Sequence, residues 1–303
     1  MTKEYRKIDL HLHTVASDGT DTPEELLCKL RAAGIGLFSV TDHDAIMSVE
    51  RIPGMLRAGD PDFINGVEFS CKSGTGKDAE KYHILGYGFD PGNADLLALL
   101  EKAHGFRIEK AVKRLEFLES EFKFKFSEEE KNSFLSQYSP AKPHLGNMMI
   151  ARGYARDMKD AVENYIDKRE FENVNPTPAE AIDAIIAAGG IPVLAHGPFA
   201  DGKGGKDGKP ILGKELEARV AGLIALGLKG LEGYYEKYTP EMQAEVLGLA
   251  EKYGLYVTAG SDYHGENKKV ILGDDHLADA SRGPEGLERF LNDVRIIRAG
   301  DAE

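Results

Sequence analysis

KIDLHLH, residues 7–13, contains the two side chains around which the chain can be read, His11 and His13. Residues two apart on a β-strand share a face, so both imidazoles leave the strand on the same side, about 7 Å apart. One metal ion suits such a pair. The stretch runs into TVASDGT, residues 14–20, a Ser/Asp/Gly turn of the kind that carries a barrel strand into its catalytic loop. An H-x-H by itself is a weak signal, because a packed or surface histidine pair looks the same. The decision rests on whether other ligands join it.

Working outward, the first ninety residues alternate short apolar runs with helical patterns, the mark of βα units around a parallel sheet. A helix opens at DTPEELLCKLRAAG, with Thr22 as N-cap, Pro23 as first helical residue and Gly34 as terminator. Cys28 falls on that helix and reads as core. The next strands are GLFSVTDHD, FINGVEFS and YHILGYGFD. The Gly/Lys loop SGTGKDAE lacks the spacing of a phosphate-binding GxxxxGK[ST] loop.

After Pro91 the period changes. LLALLEKAHGFRIEKAVKRLEFLESEF predicts one long amphipathic helix, with shorter helical pieces near 127–137, 143–152 and 157–168 and no obvious strand. Residues 98–175 carry 14 basic and 14 acidic side chains, so the rest of the chain holds the whole net charge of −13. Both signals mark an inserted helical subdomain at 98–175, flanked by barrel segments 1–97 and 176–303. The βα rhythm resumes at TPAEAIDAIIAAGG and IPVLAH and continues through LKGLEGYY and LYVTAGSDYH, for seven strands in all. The predicted fold is α/β, a distorted seven-stranded (β/α)7 barrel with a small helical insertion.

Composition narrows the function. A chain of 303 residues with 42% hydrophobic and 29% charged side chains has room for a sizeable core. Two cysteines make no disulfide framework and suit a reduced cytoplasm. No apolar leader and no run of roughly 18 apolar residues appears, which argues against secretion and membrane insertion. The acidic balance argues against long nucleic acid, whose backbone needs clustered Lys and Arg, but leaves room for a small anionic substrate.

The polar residues at strand ends form a set: His11, His13 and Asp18; His43 with Asp44; Glu68; His83; His196; Asp262 and His264. Six of the nine histidines stand in it. Strand ends on one side of a barrel converge, so these side chains can meet in one cavity. Mixed His and Asp/Glu ligation suits Zn, Mn or Fe, and the lack of paired cysteines removes a structural zinc site. Nine ligands exceed the needs of one ion and fit two or three. Two divalent ions with Asp18, Glu68, Asp262 and one hydroxide sum to about zero, whereas a third leaves about +2, which favours a phosphate dianion. Asp44 reads as a helix N-cap or a partner to a histidine, Glu232 as a support at the end of the sixth strand, and His104 and His276 as ordinary packing or surface histidines.

Four motifs, DLHLHTVASDGT, TDHD, GVEFS followed by YHILGYG, and SDYHG, resemble the PHP (polymerase and histidinol phosphatase) metallohydrolases, in particular the stand-alone branch with a helical insertion. The resemblance spans residue 7 to about 265. It implies a metal-dependent phosphoesterase with Glu68 bridging two ions. His11, His13, His83 and Asp262 would surround the first two, and Asp18, His43, His196 and His264 would lie nearer the second and third. Related chains often follow the strand-five histidine with Pro, whereas here Gly197 precedes Pro198. They tend to show Arg-Pro-His in the insertion, where this chain has Lys142, Pro143 and His144. Lys142 and His144 remain candidates for substrate contact at a helix start that favours anions.

The expected reaction is attack on phosphorus by a metal-bridging hydroxide, with Asp18, Glu68, His196 and Asp262 as catalytic residues. Expected substrates are small: a nucleotide bisphosphate, a cyclic phosphate, or a sugar or amino-alcohol phosphate. The nearest alternative is a 5′-end exonuclease on short RNA or DNA. A non-catalytic metal module would have lost ligands, and C–N-cleaving barrels commonly carry a bridging Lys that is absent here. The Gly/Lys loop from Asp201 to Lys209 reads as a solvated loop, with a mobile lid as the alternative.

Overall fold

The computed structural model describes residues 4–74, 79–169, 175–200 and 208–301. Strand β1 (Ile8–Leu12) is buried along its length. Helix α1 (Pro23–Ala33) begins as its residues dictate: the Thr22 hydroxyl accepts from the Glu25 amide at 3.2 Å, and the Glu25 carboxylate accepts from the Thr22 amide at 2.9 Å. Gly34 ends it in the left-handed region at φ +69°. Leu26, Leu27 and Leu30 face the core, while Cys28 is exposed. Its expected core position is therefore corrected: it lies on the opposite side of the helix from that stripe.

Strand β2 (Leu37–Val40) is followed by the short α2 (Met47–Arg51), β3 (Asp62–Ser73) and β4 (Glu80–Tyr87). The order across the sheet is sequential from the first strand to β5 (Ile191–Leu194), β6 (Gly230–Tyr235) and β7 (Tyr256–Gly260). The two outer strands meet where the His13 amide donates to the Tyr263 carbonyl at 2.9 Å, so the sheet nearly closes. A Cβ at Gly260 would collide with His11 Cβ, so this position lets β7 approach β1.

The expected all-parallel sheet is corrected. Strand β4 runs antiparallel to both β3 and β5. The link from β3 to β4 is far shorter than the dozen or more residues a parallel crossover needs, so the chain must double back. The reversal sets Ser70 opposite His83, bringing the start of β4 to the rim reached by the second half of β3. Glu68 accordingly sits inside a twelve-residue strand, not at its end.

Helix α3 (Ala94–Glu121) links two cores. Leu96, Leu99 and Leu100 join the barrel core, whereas Ala111, Leu115 and Leu118 pack with Phe126, Phe134, Leu145 and Met149 in a second one. That second core is completed by α4 (Glu128–Leu135), α5 (Lys142–Ala151) and α6 (Met158–Asn164), with Phe124 and Tyr154 stacked at 4.2 Å. The remaining helices, α7 (Pro178–Ala187), α8 (Gly213–Ala225), α9 (Pro240–Tyr253) and α10 (Glu285–Asp293), cover the barrel. Among the described residues no helix is long and apolar enough to cross a membrane. Residues 201–207 of the Gly/Lys loop lie outside the described residues.

Candidate metal centre

Strand alternation turns His11 and His13 to the same side, and their rings lie 5.2 Å apart. Glu68 stands beneath them. Its Oε2 is 3.3 Å from His11 Nε2, 3.3 Å from His13 Nε2 and 3.0 Å from His43 Nδ1. Its Oε1 is 2.8 Å from His83 Nδ1 and 3.2 Å from His196 Nε2. One buried carboxylate thus meets five imidazoles from four segments of the chain.

Two further carboxylates complete the set. Asp262 Oδ1 lies 3.4 Å from His13 Nε2, 3.7 Å from His11 Nε2 and 3.3 Å from His264 Nδ1. Asp18 Oδ1 lies 3.2 Å from His264 Nε2, 3.8 Å from His13 Nδ1 and 3.9 Å from His43 Nε2. Three groups of donor atoms are close enough to share an ion: His11, His13 and Asp262; His43, Glu68 and His83; and His13, Asp18, His43 and His264. His196 belongs to none of the three and joins through Glu68.

The donor set fits divalent metal ions. His11 Nε2, His13 Nε2, Asp18 Oδ1, His43 Nδ1, Glu68 Oε2, His196 Nδ1 and His264 Nε2 are buried without a hydrogen-bond partner. Buried polar atoms are normally satisfied, and so many unpaired ones in one cluster are what bound cations would satisfy. Nitrogen and oxygen donors without sulfur suit such ions.

Charge within the set is strongly coupled. Burial opposes ionisation of Glu68, yet His83, His11 and His43 hold it well below the usual carboxylate range. Burial is likewise outweighed at Asp262 by Lys268 and His264, and at Asp18 by His264 and His43. His11 is held well above its ordinary value because Glu68, Glu232 and Asp262 together exceed the effect of burial. His43 is driven well below its ordinary value, chiefly by burial.

Supporting side chains fix the donors. His11 Nδ1 meets Glu232 Oε1 at 2.8 Å, and the other Glu232 oxygen accepts from the His196 amide at 2.7 Å. That bond assigns the His11 proton to Nδ1 and frees Nε2 for the cavity. Asp42 braces the loop after β1, accepting from the Thr14 amide at 2.8 Å, the Thr14 hydroxyl at 2.7 Å and the Ser17 hydroxyl at 2.6 Å. Asp44, His196 and Asp262 have φ of +51°, +29° and +56°, conformations that cost about 1–3 kcal/mol each and cluster at functional sites.

Of the remaining residues named from the sequence, Asp44 stands differently from expectation. Among the described residues Asp44 caps no helix and bonds no histidine; it accepts from the Ser70 amide at 3.1 Å and from Arg107 Nε at 2.6 Å. Lys142 pairs with Asp167 at 2.5 Å. His144 Nδ1 accepts from the Ala141 amide at 3.1 Å; burial and Arg107 lower its pKa against the pull of Asp18. His104 stacks on Tyr138, and His276 contacts the Glu236 carbonyl. Sequence reading missed Asp42, Arg107 and Lys268, whose ammonium lies 2.6 Å from Asp262 Oδ2. Arg107 did leave a signal, because it occupies a position on the buried stripe of α3 between Ala103 and Ala111.

No family model matches the chain. It is 28% identical over 301 residues to a 3′,5′-nucleoside bisphosphate phosphatase of Chromobacterium violaceum, covering 97% of this chain and 99% of that one. It is 27% identical to a 5′-3′ exoribonuclease of Haemophilus influenzae, covering 87% and 91% of the two chains. Among solved structures, a Bifidobacterium adolescentis protein described as a metal-dependent phosphoesterase superposes with a TM-score of 0.79 at 25% identity over 96% of this chain and 97% of the other. A Chromobacterium violaceum amidohydrolase with bound sulfate and no metal gives 0.77 at 26% over 98% and 99%. In barrel, donor set and length the chain is similar to metal-dependent phosphoesterases.

Proposed function

We propose that the chain hydrolyses phosphate esters of small phosphorylated metabolites, using two or three divalent ions (Mn, Zn or Fe) held by His11, His13, Asp18, His43, Glu68, His83, His196, Asp262 and His264. The observation that carries this reading is the Glu68 carboxylate within 3.3 Å of five imidazoles. When bound, such ions supply a water of lowered pKa and neutralise the charge of a phosphate. Asp18, Glu68, His196 and Asp262 are the catalytic residues in this account.

The chain's own residues orient and enclose the reaction. Glu232 fixes the His11 tautomer, and Lys268 sets a positive charge beside Asp262, where it can meet a phosphate oxygen. Residues 98–175 act as a roof over a barrel built from 1–97 and 176–303. Supporting this are the Arg107 bond to Asp44 and the Ser139 hydroxyl donating to the His43 carbonyl at 2.8 Å. His144 is the roof residue proposed to approach substrate, with Lys142 beside it on α5. A reduced cytoplasm fits the two free thiols, Cys28 and Cys71.

Nucleotide bisphosphates and cyclic phosphates lead the list of substrates, supported by the bisphosphate phosphatase similar along its whole length. Sulfate in the second structural neighbour suits an oxyanion pocket. Exonuclease action on short RNA ends is the second reading, favoured by the exoribonuclease likeness. A product screen with manganese added tests the proposal, reading inorganic phosphate from mono- and bisphosphates, the ring-opened monoester from cyclic phosphates and mononucleotides from short oligonucleotides. Cleavage of a P–O ester bond in one of these classes is expected; amine release from amide substrates with no phosphate ester cleaved would refute it.

A further inference from the structure

The inner face of α3 carries cations that the proposed chemistry does not use. Arg107, Lys110 and Arg114 fall at i, i+3 and i+7, one face of a helix spanning about 10 Å. The row starts at the metal centre, since Arg107 bonds Asp44 and, at 3.0 Å, the hydroxyl of Ser70, the residue opposite His83. Its charge is felt at His144 together with that of Asp18.

Lys110 is the unusual member. Protein encloses its ammonium on most sides, and Lys72, Arg107 and Arg114 add positive charge around it. It donates to Asn175 Oδ1 at 3.3 Å, a neutral amide whose nitrogen in turn donates to the Ser70 carbonyl at 2.8 Å. Among the described residues no carboxylate forms an ion pair with it. Burial and its basic neighbours push its pKa well below the ordinary value, against the pull of Asp44. Arg114, near Asp167, is lowered to about 10, mainly by burial. A cation kept here without a matching anion weakens the fold, and such costs are retained where a ligand needs the charge.

We propose that Lys110, flanked by Arg107 and Arg114, binds a second phosphate group of the substrate, remote from the one being hydrolysed. This rests on the phosphoesterase reading and narrows it. The second phosphate can come from a nucleoside bisphosphate or from the next linkage of a short oligonucleotide. Either way, substrates with two phosphates are preferred over monoesters.

The test compares adenosine 3′-monophosphate, 5′-monophosphate and 3′,5′-bisphosphate with 5′-phosphorylated di- and pentanucleotides, using the manganese-loaded full chain. The wild type is expected to favour the bisphosphate or the oligonucleotides over the better monophosphate by at least about tenfold in kcat/KM, from a charge-assisted contact. Lys110→Met should bring that ratio close to one, and Lys110→Arg should restore most of it. A preference that stops rising at two phosphates assigns the bisphosphate; one that grows with length assigns the oligonucleotide. Met removes a buried charge without opening a cavity, so its melting temperature should hold or rise.

An unchanged ratio in Lys110→Met would overturn the proposal. So would an equal loss on every substrate with a lowered melting temperature, the mark of a structural strut. If neither inorganic phosphate nor mononucleotide appears from any substrate, the phosphoesterase reading fails. Calorimetric titration of the bisphosphate and the monophosphates into the same loaded protein then reads the row without turnover, with at least tenfold weaker bisphosphate binding in Lys110→Met expected and equal affinity contradicting it.

Discussion

Glu232→Gln tests how the metal centre is held together without touching its proposed ligands. Glu232 is fully buried, and each of its oxygens has one use: Oε1 holds His11 Nδ1 at 2.8 Å and Oε2 takes the His196 amide at 2.7 Å. A glutamine of the same shape keeps one acceptor and turns an NH2 toward a second donor. One charge-assisted hydrogen bond is lost, worth about 1.5–3 kcal/mol, and the His11 proton is no longer fixed on Nδ1. The expected result is a drop of about 10–100-fold in metal affinity or in activity at limiting metal. Chelator competition for manganese, run beside phosphate release, measures both. Affinity and activity within about twofold of wild type, with the fold intact by circular dichroism, would refute the reasoning.

Three other outcomes follow from buried charges. Arg107→Met leaves Asp44 buried without its guanidinium and should lower stability by about 3–5 kcal/mol, with Asp44→Asn in the same chain recovering part; a urea titration showing under about 1 kcal/mol would contradict that pairing. Asp275, pushed up to about 8 by burial and the neighbouring Asp9, keeps its proton in the folded state between about pH 4 and 8, where the unfolded chain has lost it. The unfolded state then binds fewer protons, so stability falls as pH rises through that window. Asp275→Asn removes this slope and should gain on the wild type up to about pH 8; melting curves that stay parallel across the range would exclude it.

Much of the centre was legible because strand geometry is regular. Period two places His11 and His13 together whatever the rest of the fold does, and Asp262 and His264 repeat the spacing after the last strand. Thr22, Thr177 and Gly34 announce their helix ends through local hydrogen bonds that tertiary packing leaves alone. Strand direction was less visible, since apolar alternation reads the same both ways. The short connection before β4 held the clue, and the antiparallel hairpin is what carries His83 to Glu68.

Residues that act across long sequence distances were the least legible. Asp44 and Arg107 are 63 positions apart, and nothing local to TDHD says that its last residue anchors a helix from the insertion. Lys268 is only six positions from Asp262, but it lies beyond the last strand, where no regular period sets it beside that carboxylate. Asp42 gave a faint signal only, an acidic residue at a buried strand end that must find donors and finds them on Thr14 and Ser17.

The central claim is that imidazoles and carboxylates from distant strands hold divalent ions that make the chain a phosphoesterase. Metal stoichiometry by plasma emission spectrometry, measured with phosphate release on the same samples, tests it most directly. The account predicts at least two ions per chain in the wild type, loss of activity on chelation with return on manganese, and depletion of both metal and activity in His13→Ala and Asp262→Ala. Full phosphate release from protein stripped of metal, or from either variant with its metal content intact, would contradict it.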